Sequence, residues 1–171
     1  MPVQKKHVTP SRQQVNDFIA HWEAMHVGFE RAIRALPKSA LGFRPKPRMR
    51  TLSQVISHTL EAESYYFFRL LKSGKSAPSI PKKFKLKRDL LSVMRAVHKL
   101  SLAHLRRMSD EDLDRVSRLP GGAKVSVRQV LLYAIAHEVH HRAQFNTYVH
   151  LWEPPGKKFL RPWYLVEGKE I

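Results

Sequence analysis

Four long stretches of this 171-residue chain repeat apolar residues at the three- and four-residue spacing of an amphipathic helix. They cover residues 11–36, 51–72, 87–108 and 126–152, and each connection between them is longer than ten residues. No segment shows sustained two-residue alternation, so we expect no extended sheet. The pattern predicts an all-α four-helix bundle with long crossover-type connections, built from helices about 33 to 40 Å long.

The length and composition predict one domain spanning residues 1–171, with flexible ends at about 1–9 and 156–171. With 43% hydrophobic residues the chain has enough apolar surface for one sizeable core. The first ten residues lack the apolar core of a signal peptide, and every apolar run is too short to cross a bilayer. We therefore expect a soluble, cytoplasmic protein that has no membrane partner.

The chain has no cysteine. This excludes a disulfide scaffold, an iron–sulfur cluster, a thiolate zinc site and a cysteine nucleophile. It also agrees with a reducing compartment. Any metal ion must therefore be held by nitrogen and oxygen ligands.

Histidines form the sharpest local pattern. His137 and His141 are four residues apart on the predicted fourth helix, so their side chains share one face, and that face is apolar. His58 lies on the inward face predicted for the second helix. Three imidazoles without a thiolate are typical of a metal site with positions open to a substrate. The alternative is a set of hydrogen-bonded core histidines.

The segment His137–His141 also matches the pattern H-E-x-x-H, in which two metal ligands flank a glutamate base. A peptidase of this type needs a sheet that binds peptide and a third ligand further along the chain. Only Glu153, Glu167 and Glu170 follow, beyond a proline break. We rank a metallopeptidase below the other interpretations.

Several neighbours of these histidines are candidates for catalysis or substrate binding. Gln54 and Glu61 lie about one turn before and after His58, where either could orient a ligand or a water molecule. The alternative for both is a solvated surface position. Glu138 is a weaker candidate for a base.

Two further side chains are candidates for contacts with substrate. Arg142 could bind an anionic group of the substrate or form a surface ion pair, and Tyr65 could form a pocket wall.

The net charge of +17 arises from 31 Lys and Arg residues against 14 Asp and Glu. Much of the positive charge falls in two predicted loops, 38–50 and 82–88. These loops could bind nucleic acid without sequence specificity, because no base-reading motif accompanies them. The alternatives are a solvated basic surface and a basic rim that attracts an anionic small-molecule substrate.

Several segments together carry a family resemblance. Residues 43–45 (Phe-Arg-Pro) and 51–58 (Thr-Leu-Ser-Gln-Val-Ile-Ser-His), with 61–66 after them, match the start of a characteristic second helix. Residues 137–144 (His-Glu-Val-His-His-Arg-Ala-Gln) match a His-x-x-x-His-Arg-Gly-Gln signature, with Ala143 where glycine is common. The chain thereby resembles the DinB/YfiT-like superfamily of metal-binding four-helix bundles.

The resemblance implies that His58, His137 and His141 are the ligands of a divalent metal ion. Zinc and nickel are the metals we expect first, followed by iron and manganese. It also implies a homodimer and a small-molecule substrate, either anionic or a thiol. The function predicted first is a metal-dependent enzyme of the hydrolase or thiol S-transferase type.

Overall fold

A computed structural model of the chain describes residues 11–74 and 76–156, together with the backbone of two short strands near the end. It confirms four helices: α1 (Gln13–Ala35), α2 (Leu52–Ser64), α3 (Lys87–Leu105) and α4 (Val127–Trp152). The predicted flexible end at residues 1–9 lies outside the described residues. So does the predicted end at 156–171, apart from Gly156 and the backbone of the two strands.

Capping boxes define where α2 and α4 begin. The Thr51 hydroxyl accepts a hydrogen bond from the Gln54 backbone, while Gln54 Oε1 accepts one from the Thr51 backbone at 2.8 Å. Ser126 and Gln129 form the same reciprocal pair at the start of α4. Each box satisfies amide groups that have no partner inside the helix. Both helices that carry the candidate histidines therefore have a defined register.

The helix α2 continues into one π-helical turn, Tyr65–Leu70. Its wider spacing is visible where the Leu71 amide donates to the Tyr66 carbonyl, five residues back, at 3.0 Å. Such turns insert an extra residue and redirect the side chains that follow. The predicted second helix, 51–72, is therefore regular only in its first part.

Helices that are not consecutive in the chain make the most extensive contacts: α2 with α4, and α1 with α3. Arg12 bonds to Arg106, and Lys87 bonds to Leu36, so α1 and α3 are antiparallel. The contact between Phe29 and Phe145 joins α1 to α4. The long connections therefore cross the bundle, as predicted.

The core consists of two apolar clusters. One, containing Phe29, Ile56 and Phe145, fills the end of the bundle where α2 begins. The other, containing Trp22, Phe67 and Leu131, fills the end where α4 begins. Each of these side chains is at most 4% exposed, so both ends of the bundle are tightly packed.

Short elements complete the fold. Two 3₁₀ turns span Lys38–Gly42 and Asp110–Asp114. A hairpin pairs β1 (Val116–Arg118) with β2 (Lys124–Ser126), and β3 (Leu165–Val166) pairs with β4 (Lys169–Glu170). Among the described residues, no helix has both the length and the apolarity needed to cross a membrane.

Candidate metal centre

Three histidine rings meet between α2 and α4. The ring centroid of His58, on α2, is 5.4 Å from that of His137 and 4.8 Å from that of His141. The centroids of His137 and His141, one turn apart on α4, are separated by 4.4 Å. One nitrogen from each ring lies within 4.8 Å of the other two. In the part of the chain that the structure describes, no other group of at least three His, Cys, Asp or Glu side chains meets this criterion.

Gln144 determines which nitrogen of His141 faces the other rings. Its Oε1 atom is 2.7 Å from Nδ1 of His141, so Nδ1 carries the proton and Nε2 keeps a lone pair. The amide of Gln144 is itself held by His140, whose Nε2 accepts from Gln144 Nε2 at 3.1 Å. His140 therefore lies at the rim of the site and orients Gln144.

The donor atoms fit one metal ion. Nε2 of His141 is 3.2 Å from Nε2 of His137. Two nitrogens at about 2.0–2.1 Å from one tetrahedral ion are separated by about 3.3 Å. His58 supplies a third imidazole, and a set of three imidazoles suits zinc, nickel and iron better than magnesium or calcium.

The electrostatic environment keeps all three rings neutral. Burial is the main cause that lowers the pKa of His58, His137 and His141, and it brings the pKa of His137 to about 4. The positive charge of Arg50 lowers the pKa of each ring further. Neutral imidazole is the form that binds metal, so the rings are prepared as ligands at neutral pH.

Glu61 is placed beside His58. Its Oε2 atom lies 3.7 Å from Nδ1 of His58, and the carboxylate is about half exposed. This distance is longer than a hydrogen bond, but the negative charge favours a proton on Nδ1 and leaves Nε2 of His58 without one. Glu61 is thus positioned to orient the ring, as a carboxylate beside a metal-binding histidine commonly does.

Gln54 was a candidate for orienting a ligand beside His58, and Tyr65 was a candidate for a pocket wall. The contacts of both side chains in the structure are with other groups. The Gln54 side chain closes the capping box at Thr51. Tyr65 packs against Tyr66, with ring centroids 5.8 Å apart. It is Tyr66 that contacts the site, with its ring centroid 5.9 Å from that of His137.

Glu138 and Arg142 are buried in the bundle, at 7% and 4% exposure. Each follows one of the paired histidines and is therefore turned about 100° from it around α4. Burial and the nearby Glu63 carboxylate raise the pKa of Glu138 to about 8, while Arg142 opposes that shift. Glu138 is thus mainly protonated at neutral pH, which does not suit the base that the H-E-x-x-H pattern requires.

Next to Glu138 lies a buried polar cluster. Glu63 Oε1 accepts a hydrogen bond from Trp22 Nε1 at 3.3 Å and lies 3.8 Å from Nδ1 of His98. The ring of His98 stacks on that of His26 with centroids 3.6 Å apart. These contacts connect α1, α2 and α3, so the role of this cluster is to hold three helices of the bundle together.

Sequence reasoning assigned no role at the metal site to two groups that the structure brings there: Arg50 and Gln144. Gln144 belongs to the signature in 137–144, and its spacing of three residues from His141 was the available signal. Arg50 ends the basic connector directly before α2. The sequence is compatible with a pocket wall at either Tyr65 or Tyr66, and it is the ring of Tyr66 that lies beside His137.

The fold is a four-helix bundle in which three histidines from α2 and α4 form one cluster. A family model described as the DinB superfamily matches residues 13–145. The chain therefore belongs to the DinB superfamily. The match includes all of α1, α2 and α3 and extends through Phe145 of α4, so it contains all three clustered histidines.

Individual relatives agree with this assignment. The uncharacterised protein YjoA of Bacillus subtilis strain 168 is 26% identical over 141 residues, which are 81% of this chain and 88% of YjoA. A crystal structure of a DinB-like protein from Bacillus cereus ATCC 10987 has a TM-score of 0.67 at 18% identity, covering 84% of this chain and 97% of that one.

A third similar protein is YfiT from Bacillus subtilis, described as a probable metal-dependent hydrolase with an unusual four-helix bundle topology. Its structure has a TM-score of 0.64 at 19% identity and covers 85% of this chain and 91% of its own. At these identities the solved structures establish the shared fold.

Proposed function

We propose that this protein is a metal-dependent hydrolase that holds one divalent cation between His58, His137 and His141. The observation that carries the proposal is the convergence of three neutral imidazoles, with one nitrogen from each within 4.8 Å of the others. Three protein ligands leave a coordination position for substrate, which is typical of a catalytic rather than a structural site.

Zinc and nickel are the metals we expect first, and iron is next. Imidazole nitrogen suits all three, whereas manganese prefers a site richer in oxygen. Glu61 is the carboxylate close to His58, with Oε2 3.7 Å from Nδ1 of that ring, and we assign it to orienting the ring rather than to binding the metal. The proposed donor set is therefore nitrogen alone.

When bound, a divalent cation acts as a Lewis acid that polarises a substrate oxygen and makes a water molecule more acidic. The residues of the chain prepare the site for it. Gln144 and Glu61 orient His141 and His58, and the positive charge of Arg50 favours a substrate with a negative group. Tyr66 adds an aromatic wall beside His137.

The hydrolase class rests on the description of YfiT, which shares this fold. A thiol S-transferase would use the same three ligands, with a thiol in place of water. Assays of the metal-loaded protein with ester, amide and phosphoester substrates, with and without a low-molecular-weight thiol, distinguish the two reactions. Turnover that depends on the thiol assigns the transferase and excludes the hydrolase.

Elemental analysis tests the site itself. Protein purified without added metal should contain about one equivalent of a transition metal, and His58→Ala, His137→Ala and His141→Ala should each lose most of it. His150→Ala is the matched control, since His150 is an exposed histidine near the end of α4. Unchanged metal content in all three site variants would contradict the proposal.

A second candidate function is binding of nucleic acid without sequence specificity. The Ser53 hydroxyl accepts a hydrogen bond from the Phe84 backbone at 2.7 Å, so the loop 82–88 lies beside the start of α2, where the loop 38–50 ends. Lys82, Lys83 and Lys85 are exposed on this surface. Affinity for an oligonucleotide should fall steeply with salt and should be weakened by Lys83→Gln. Absence of binding at low salt excludes this function.

The proposed assembly is a homodimer in the cytoplasm. Multi-angle light scattering of the purified protein measures the assembly directly. A monomer mass of 19.9 kDa at all concentrations would exclude a dimer.

A further inference from the structure

A cavity lies at the end of the bundle where α3 ends and α4 begins. Its volume is about 590 Å³. Its walls come from residues 69–73, the end of α3, the 3₁₀ turn Asp110–Asp114 and β1. Val127 lines it at the start of α4, ten residues before His137, which corresponds to about 15 Å along the helix axis. The cavity is therefore separate from the three-histidine site.

The lining of this cavity is strongly basic. Five cationic side chains line it: Arg69, Lys72, Arg107, Arg115 and Arg118. Among the described residues, Asp112 is the only carboxylate of the lining, and it lies 3.2 Å from Nε of Arg115. Five positive charges thus face one negative charge, which is already paired. Concentrated positive charge in a concave site attracts and holds a multiply charged anion.

Two buried polar side chains in the same lining have no hydrogen-bond partner within the described part of the chain. Both ring nitrogens of His104 are in this state, as is the hydroxyl of Ser73. His104 is 8% exposed and Ser73 is 9% exposed. Buried polar atoms are normally hydrogen-bonded, so this wall of the cavity contains polar groups that the fold leaves unsatisfied.

The charge state of His104 is set by its surroundings. Burial, together with Arg107 and Arg115, lowers the pKa of His104. A neutral ring carries one donor and one acceptor. At neutral pH the ring of His104 therefore adds no positive charge to the five cationic side chains of the lining.

We propose that this cavity binds a small molecule that carries a diphosphate or a similarly charged phosphate group. A volume of about 590 Å³ lies in the range of small-molecule sites. The guanidinium group of an arginine can donate two parallel hydrogen bonds to the oxygens of one phosphate. One carboxylate group would neutralise little of the excess positive charge, whereas a diphosphate neutralises most of it. The proposal is independent of the metal site, which lies elsewhere on α4.

Calorimetric titration with inorganic pyrophosphate at fixed ionic strength tests the proposal. One molecule should bind per chain, and Arg69→Gln and Arg107→Gln should each raise the Kd about tenfold. Both arginines are exposed at the mouth of the cavity, so their replacement leaves the core intact. Lys99→Gln, on α3, is the matched control, because it removes one exposed positive charge outside this lining and outside the basic segments 38–50 and 82–88. Its Kd should equal that of the wild type.

Three results overturn the proposal. The first is no binding of pyrophosphate by the wild-type protein. The second is equal weakening by Lys99→Gln and Arg69→Gln, which would indicate attraction by diffuse surface charge. The third is an oligonucleotide that binds through Arg69 and Arg107 and is not displaced by pyrophosphate, which would assign the cavity to nucleic acid.

Discussion

Oε1 of Gln144 lies 2.7 Å from Nδ1 of His141, and this contact leaves the lone pair of His141 on the nitrogen that faces His137. The side chain of Gln144 is placed one turn after His141 by the helix itself and is held from its other end by His140. Gln144, which is not a proposed metal ligand, thus sets the orientation of His141, which is one. Such supporting contacts often contribute substantially to metal affinity.

Replacement of Gln144 by Ala should weaken zinc binding by about 10- to 100-fold, because the ring of His141 loses its orientation and its fixed tautomer. Competition with a chelator of known affinity measures the change. Thr147→Ala is the control on the same helix, since the Thr147 hydroxyl only bonds back to the Ala143 carbonyl. Equal affinities of Gln144→Ala and wild type would show that Gln144 does not support the ligand.

Metal should also stabilise the folded protein. A cation at about 100 times its Kd adds about 2.7 kcal/mol to the free energy of unfolding, provided that it binds only the folded state. Thermal unfolding with and without zinc should show a clear rise in Tm for the wild type and none for His137→Ala. An equal rise in the variant would place the binding elsewhere.

Acidification should release the metal. The ligating form of each histidine is neutral, so protons compete with the metal as the pH falls. Because burial lowers the pKa of His137 to about 4, this competition should begin at a lower pH than for a free histidine with a pKa of about 6.5. Metal content after dialysis at successive pH values measures it. Full occupancy well below pH 4 would contradict an all-histidine site.

A buried hydrogen bond between α1 and α2 should contribute measurably to stability. Trp22→Phe removes the indole N–H that donates to Glu63 Oε1 and leaves the buried carboxyl group with one donor fewer. We expect the free energy of unfolding to fall by about 1–3 kcal/mol in urea titrations. Trp22→Phe in a Glu63→Leu background is the control, because the acceptor of the hydrogen bond is then absent. If Trp22→Phe lowers the free energy of unfolding equally in both backgrounds, the hydrogen bond itself contributes nothing.

Much of the bundle could be predicted from local patterns. The observed bounds of α1, α3 and α4 fall within a few residues of those predicted from apolar spacing. Thr51 is the cap residue of α2, and the Thr-x-x-Gln pattern that begins with it is a capping-box signal in the sequence. That signal could have assigned the Gln54 side chain to the cap rather than to His58.

The remaining features depend on contacts between distant parts of the chain. A charged residue such as Glu138 or Arg142 is normally exposed, and both become buried here through the packing of α4 against the other helices. The π turn after Ser64 replaces a regular helix within an unbroken apolar run, so apolar spacing cannot reveal it. The basic cavity likewise combines residues from three separate segments.

The buried ring of His26 stacks on that of His98 and lies near the carboxylates of Glu30 and Glu63. Burial is the main cause that lowers its pKa to about 4, and the charge of His98 lowers it further, while both carboxylates oppose the shift. The unfolded chain, with a histidine pKa of about 6.5, binds the proton more readily than the folded one. Between about pH 4 and 6.5 the folded state should therefore gain stability as the pH rises.

His26→Gln removes this contribution and keeps a polar side chain. In urea titrations of the metal-free protein, the stability of the wild type relative to His26→Gln should increase as the pH rises from about 4 to 6.5 and then remain constant. His150→Gln, at an exposed histidine, should follow the wild type across the range. Parallel curves for wild type and His26→Gln would show that His26 takes up its proton equally in the folded and unfolded chains.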